Sequence, residues 1–229
     1  MNKRKTIAGI FLIAFLSITV MSIIDGIVNP GYMYKSAIKI IMFLLIPLIY
    51  TAYDNTINLK DIFKVKSKKK LFASIFLGIL VYIIILSAYL MLKEFIDLNI
   101  IKNILAENLK VNKDNFIFVA LYISFINSLL EEFFFRGFIF LNLKKLIISK
   151  YAYIISALAF SIYHVAIMSS WFSPLIFLLA MVGLFVGGII FNYLNESSSN
   201  IYSSWLVHMM ANFAINTIGF IMFYAEIGY

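Results

Sequence analysis

Apolar residues run along this chain in long blocks, and polar residues gather in the short intervals between them. Thr6–Ile24 holds 19 consecutive uncharged residues, Leu71–Leu92 holds 22, and Tyr151–Asn195 holds 45. The last block is long enough for two passes with a turn between. A helix that crosses the hydrocarbon of a bilayer needs about 20 residues. The pattern predicts spans at roughly 6–28, 36–53, 71–92, 115–141, 151–169, 174–194 and 201–224. The second has a short uncharged core, Ile40–Tyr53, interrupted by Pro47, with Lys35 and Lys39 expected to snorkel at one end. The expected fold is all-α: a polytopic helical membrane protein of about seven transmembrane helices, with six to eight compatible with the pattern.

Composition agrees. Of 229 residues, 63% are hydrophobic and 13% charged, far from the soluble average. No Pro/Gly/Ser linker and no repeat divides the chain, so residues 1–229 read as one integral membrane domain. Within it, 1–114 supply N-terminal helices and 115–224 a core that carries the chemistry. Cysteine is absent, which excludes disulfides, thiol catalysis and Cys–zinc sites.

The net charge of +8 does not indicate nucleic acid. The basic residues cluster beside the spans: Lys3, Arg4 and Lys5, then Lys60, Lys64, Lys66 and Lys68–Lys70, then Lys144, Lys145 and Lys150. With seven spans these clusters share one side, and the positive-inside rule makes that side, and the N-terminus, cytoplasmic. The partner there is the bilayer and its anionic head groups. MNKRK followed by an apolar run looks like a signal peptide, but the run is too long and no A-x-A-like site follows. It is expected to stay as the first span. Residues 95–109, FIDLNIIKNILAENL, have the pattern of an amphipathic helix in the opposite interface or of a solvated loop helix.

Several polar residues fall inside the apolar blocks. A charge at mid-bilayer costs roughly 2.5–3.5 kcal/mol on insertion scales, and such residues mark functional sites by default. Glu132 and Arg136 are spaced i, i+4 and are expected to pair along one helix face. Glu131 points about 100° away and needs another partner. The chain's two histidines, His164 and His208, both lie in spans, at a depth similar to that of Glu131. Asn212 is one turn beyond His208. Asn216 extends that face and is expected to bond between helices. Gly183 and Gly187 form a G-x-x-x-G spacing beside Gly188 and predict close helix packing.

Glu, His, His and Asn around one buried point suit two chemistries. Glu131 acts as general base on a water held by His164, while His208 and Asn212 donate to an oxyanion. Alternatively, Glu131, His164 and His208 ligate a zinc that carries the water. The ligand types suit zinc, but no HExxH pair is present. Both chemistries point to hydrolysis of a carbonyl compound, most naturally a peptide bond.

Three motifs then resemble one family. Glu131-Glu132-Phe-Phe-Phe-Arg136 is similar to EExxxR, Phe160-Ser-Ile-Tyr-His164 to FxxxH, and His208-Met-Met-Ala-Asn212 to HxxxN. These are the motifs of the CPBP intramembrane proteases, which include the type II CAAX prenyl proteases and the bacteriocin-processing, Abi-type enzymes. The resemblance covers about residues 115–220. It implies an intramembrane endopeptidase in which Glu131 and His164 activate water, His208 and Asn212 stabilise the oxyanion, and Glu132 and Arg136 support the site. The family is often labelled metalloprotease. A glutamate-activated water with no cofactor is favoured here, with zinc as the alternative. The Lys/Ile/Asn-rich composition is that of an AT-rich bacterial genome, where prenylation is not expected. A membrane-associated peptide or protein, such as a pheromone or bacteriocin-like precursor, is then the expected substrate. The competing function is a catalytically silent membrane scaffold or bacteriocin-immunity protein of the same family. A transporter or proton relay ranks behind it, because no repeat symmetry relates the two halves.

Overall fold

The computed structural model describes residues 2–57 and 59–225. Among the described residues, seven helices are long and apolar enough to cross a membrane: α1 (Lys3–Val28), α2 (Tyr32–Tyr53), α3 (Lys68–Phe95), α5 (Phe116–Leu146), α6 (Ser149–Met168), α7 (Pro174–Ser198) and α8 (Tyr202–Tyr224). The short helix α4, Leu98–Leu109, lies between α3 and α5. No strand is present among the described residues. The seven predicted spans are all found, most of them a turn longer than their uncharged cores. The polar residues at their ends complete the helices without needing to enter hydrocarbon.

Local chemistry sets the joins. Asn29 and Gly31 adopt positive φ (45° and 84°) around Pro30, which turns the chain from α1 into α2. Asn tolerates this region and Gly enters it freely. Pro47 sits in the first turn of the α-helical segment Ile46–Tyr53, just after a π-type turn at Ile41–Leu45. The widened ladder takes up the donor that proline lacks. Ser199 (φ 58°) ends α7, and residues 199–201 join it to α8.

The basic loops gather at one end. Lys144 and the Tyr153 hydroxyl both contact Glu196, and Lys70 contacts the Ser197 carbonyl. At the same end, the Thr6 and Thr56 hydroxyls meet at 3.1 Å beside Asp54. Burial pushes the Asp54 carboxyl up, but hydrogen bonds from the Thr56 and Thr6 hydroxyls and the Thr56 amide outweigh it and hold the group below its ordinary value.

α5 is the centre of the bundle. Phe133, Phe134, Phe135, Phe138 and Phe140 are buried and form one core with Phe43 of α2, Phe160 and Tyr163 of α6 and Phe191 of α7. Phe43 stacks on Phe134 with ring centroids 4.2 Å apart. Large apolar side chains such as Phe15, Phe76, Phe118 and Leu175 point outward, as a lipid-facing surface requires. α4 packs against the end of α8 through Ile101 and Phe223, in a small second core with Phe116. Its amphipathic pattern therefore serves protein packing on at least one face.

The glycine expectation is corrected in part. Gly183 and Gly187 have nothing within 4 Å of a built Cβ, whereas Gly188 would meet the backbone and Cβ of Ala157 at 3.0 Å. The close α6–α7 contact belongs to Gly188, which points to a different face from the other two. Gly188→Ala is expected to destabilise by about 1–3 kcal/mol through overpacking. Gly183→Ala should be neutral or stabilising by up to about 1 kcal/mol through helix propensity. Thermal unfolding of the two variants in detergent compares them directly.

Candidate active site

The EExxxR segment lies where α5 departs from regular α-helix. Residues Glu132–Phe140 form a π-type stretch, and every one of them is buried. Such widenings recur at functional sites. The Asn142 amide donates to the carbonyls of Gly137 and Phe138 at 3.0 and 2.9 Å, which supplies partners that the loosened ladder needs.

Glu131 and Glu132 are both buried, 2% and 0% exposed. Glu132 is fully engaged. Its Oε1 accepts from His208 Nδ1 at 2.9 Å and faces Arg136 at 3.2 Å, while its Oε2 accepts from the Ser204 hydroxyl at 2.5 Å. The predicted i, i+4 pair is present. The Arg136 guanidinium makes no well-aligned hydrogen bond among the described residues. It is enclosed by the rings of Phe160 and Phe191, at 4.2 and 4.9 Å from their centroids. Cation–π attraction therefore carries much of its accommodation.

The two oxygens of Glu131 have different surroundings. Oε1 accepts from Lys39 Nζ at 2.6 Å and from the Asn127 amide at 2.9 Å. Oε2 is buried without a hydrogen-bond partner among the described residues. Facing it are His164 Nε2 at 3.8 Å and His208 Nε2 at 3.7 Å. The opposite nitrogens of both rings are committed: His164 Nδ1 to the Phe160 carbonyl at 2.8 Å, and His208 Nδ1 to Glu132. A carbonyl or carboxylate can only accept, so Nδ1 carries the proton in each ring. In a neutral imidazole, Nε2 then presents a lone pair. Three acceptors converge on one point, and a proton donor or a cation between them resolves the conflict.

Glu131 Oε2 and the two Nε2 atoms are of the types that zinc takes, but they stand further apart than zinc ligands do. No group of three His, Cys, Asp or Glu among the described residues is placed to hold a metal ion. Zinc–ligand distances of about 2.0–2.1 Å put tetrahedral ligands about 3.3 Å apart, and both oxygen–nitrogen separations here exceed that. The Lys39 ammonium also occupies the second carboxylate oxygen.

Five of the six predicted site residues, Glu131, Glu132, Arg136, His164 and His208, form one connected cluster. Asn212 lies one turn beyond His208 and donates to the Ile123 carbonyl of α5 at 3.2 Å. Asn216 bonds between helices as expected, to the Ala120 carbonyl and the Ser124 hydroxyl. One expectation is corrected. Lys39 does not snorkel: it is 2% exposed and points inward to Glu131. The other partner that Glu131 needs on its own helix is Asn127, one turn before it on α5. Ser204 stands in the same relation to His208. Both were visible as polar residues at i−4 from a site residue.

The fold and motifs define a multi-pass helical membrane protein with a buried Glu/His/Arg cluster. Residues 113–214 match the family model described as type II CAAX prenyl endopeptidase Rce1-like. The match bears out the resemblance carried by the three motifs: this stretch is similar to the CPBP/CAAX family of intramembrane endopeptidases. Neither a curated protein nor a solved structure matches the chain significantly.

Proposed function

We propose that this protein hydrolyses a peptide bond of a membrane-associated peptide or protein, using a water activated by Glu131 and His164 without a metal. The observation that carries this reading is Glu131 Oε2: a buried carboxylate oxygen with no donor among the described residues, 3.8 Å from His164 Nε2 and 3.7 Å from His208 Nε2. A water at ordinary hydrogen-bond distances of about 2.8 Å bridges such groups. It donates one proton to Oε2 and the other to His164 Nε2. Its oxygen is then aimed at a substrate carbonyl. As the C–O bond forms, Glu131 takes the first proton, and it returns that proton to the departing amine nitrogen as the C–N bond breaks.

His208 donates to the oxyanion through Nε2. Because its Nδ1–H is held by Glu132, donation from Nε2 requires a second proton on the ring. Asn212 contributes the amide hydrogen that Ile123 does not use. Asn212→Ala is expected to lower kcat by a factor on the order of 10²–10³, as for loss of one oxyanion donor. A residue that only braced α8 against α5 would instead lower the unfolding temperature and leave kcat intact.

The basic end of the bundle is the proposed cytoplasmic side, with the N-terminus on it. The substrate class proposed for a bacterial chain is a peptide precursor or another membrane protein. The deciding experiment incubates purified wild type and Glu131→Ala with a membrane-peptide library in detergent. Cleavage is read by mass spectrometry, and bound metal is assayed on the same samples. Cleavage by wild type alone supports the reading. No cleavage by either favours the silent scaffold or immunity function.

A further inference from the structure

We infer that Lys39 of α2 is a positioning residue for the reaction proposed above, acting with Asn127 as a clamp that leaves Glu131 Oε2 as the sole working base. The inference rests on that proposed reaction. It concerns a residue outside the family-matched stretch of 113–214 and in a helix that carries none of the three motifs.

The geometry is specific. Lys39 Nζ lies 2.6 Å from Glu131 Oε1 and 2.5 Å from Asn127 Oδ1. The Asn127 amide donates to the same carboxylate oxygen at 2.9 Å. Lys39, Asn127 and Glu131 thus close a three-membered ring of hydrogen bonds, in which Asn127 orients both ions. The ammonium also sits over the rings of Tyr163 and Phe43, 4.8 and 5.3 Å from their centroids. Its side chain is 3% exposed, so water does not screen the pair.

Lys39 is not a stray charge searching for a partner. One turn earlier, Lys35 has its own carboxylate, Asp25 of α1, at 2.6 Å. The two lysines of this face are each matched to one acid, which leaves Lys39 committed to Glu131.

The consequence is an asymmetric carboxylate. Oε1 receives two donors and is held still. Oε2 receives none from the protein and faces both imidazoles. Catalysis by a positioned base depends on such orientation: a misplacement of 1 Å can reduce turnover about 10²-fold. A helix whose sequence shows only a proline and two lysines thereby completes the site.

The test uses the full-length protein and a peptide that wild type cleaves in the library. Lys39→Met keeps the length and removes the ammonium. Its kcat is expected to fall about 10²-fold with KM nearly unchanged, while Lys39→Arg recovers a large part of the loss by restoring a cation. A Lys39→Met protein with wild-type kcat would overturn the inference, as would a loss that appears only in KM. If Lys39→Met does not fold, Asn127→Leu reads the other half of the clamp: a loss confined to kcat supports it, and wild-type kcat overturns it.

Failure of the proposed reaction is distinguished by wild type itself cleaving nothing. The clamp is then read from stability. Lys39→Met should lower the unfolding temperature by about 10 °C, as expected for an uncompensated buried charge. Adding Glu131→Gln should restore it, because a neutral amide needs no counter-ion. Simply additive effects of the two substitutions would overturn the clamp.

Discussion

Glu131→Gln should give a folded protein that no longer cleaves peptides. The substitution is nearly isosteric. Its carbonyl oxygen can still accept from Lys39 and Asn127, the two donors that hold Oε1 at 2.6 and 2.9 Å. Its amide nitrogen replaces Oε2 and offers hydrogens toward His164 and His208, whose Nε2 atoms lie 3.8 and 3.7 Å away. The three-acceptor conflict disappears, but the buried Lys39 ammonium loses its counter-charge, so the protein should fold yet unfold at a lower temperature than wild type. What is lost is the oxygen that the proposed reaction uses to take a proton from water. Loss of a general base lowers turnover by about 10²–10⁴-fold, and no nearby group replaces it: Glu132 is occupied on both oxygens. Single-turnover cleavage and thermal unfolding on the same preparation separate the two effects. Normal turnover by folded Glu131→Gln would sink the mechanism, and the clamp on Lys39 would lose its catalytic meaning with it.

Arg136→Leu should act in the opposite way, through stability first. The guanidinium is fully buried and pairs with a fully buried Glu132. Removing one member of a buried pair costs about 3–5 kcal/mol, because the remaining charge is left uncompensated. Here part of that loss is offset by the Ser204 hydroxyl and His208 Nδ1, which also bond Glu132. Another part is added by the lost packing of the cation against Phe160 and Phe191. Arg136→Leu should therefore unfold at a clearly lower temperature. Its surviving folded fraction should be weakly active, since Glu132 then holds His208 less firmly. Arg136→Lys keeps the charge but not the planar stacking and should fall between. An Arg136→Leu protein as stable as wild type would show that the aromatic cage, and not the ion pair, holds this part of α5.

The seven spans were legible because each is an uninterrupted apolar block longer than the hydrocarbon is thick, a property of composition alone. The Glu132–Arg136 pair was legible because helical spacing is a local rule. The roles of Gly183 and Gly187 were misread for the converse reason. A G-x-x-x-G spacing says which residues share a face, but not whether another helix lies against that face, and here the contact falls on Gly188 and Ala157.

Lys39 gives the sharpest contrast. By sequence it stands one turn from Lys35, near the end of an apolar run, where a long side chain usually bends toward the head groups. Which way it turns is decided by how α2 packs against α5, 92 residues away in the chain. Likewise, the sequence showed two intramembrane histidines and a carboxylate at similar depth. Only the bundle brought their facing atoms within 4 Å and committed Nδ1 of each ring to another partner. Periodicity and block length determine helices and their polar faces, because those depend on near neighbours. Convergence of side chains from four helices depends on long-range packing, which no local pattern encodes.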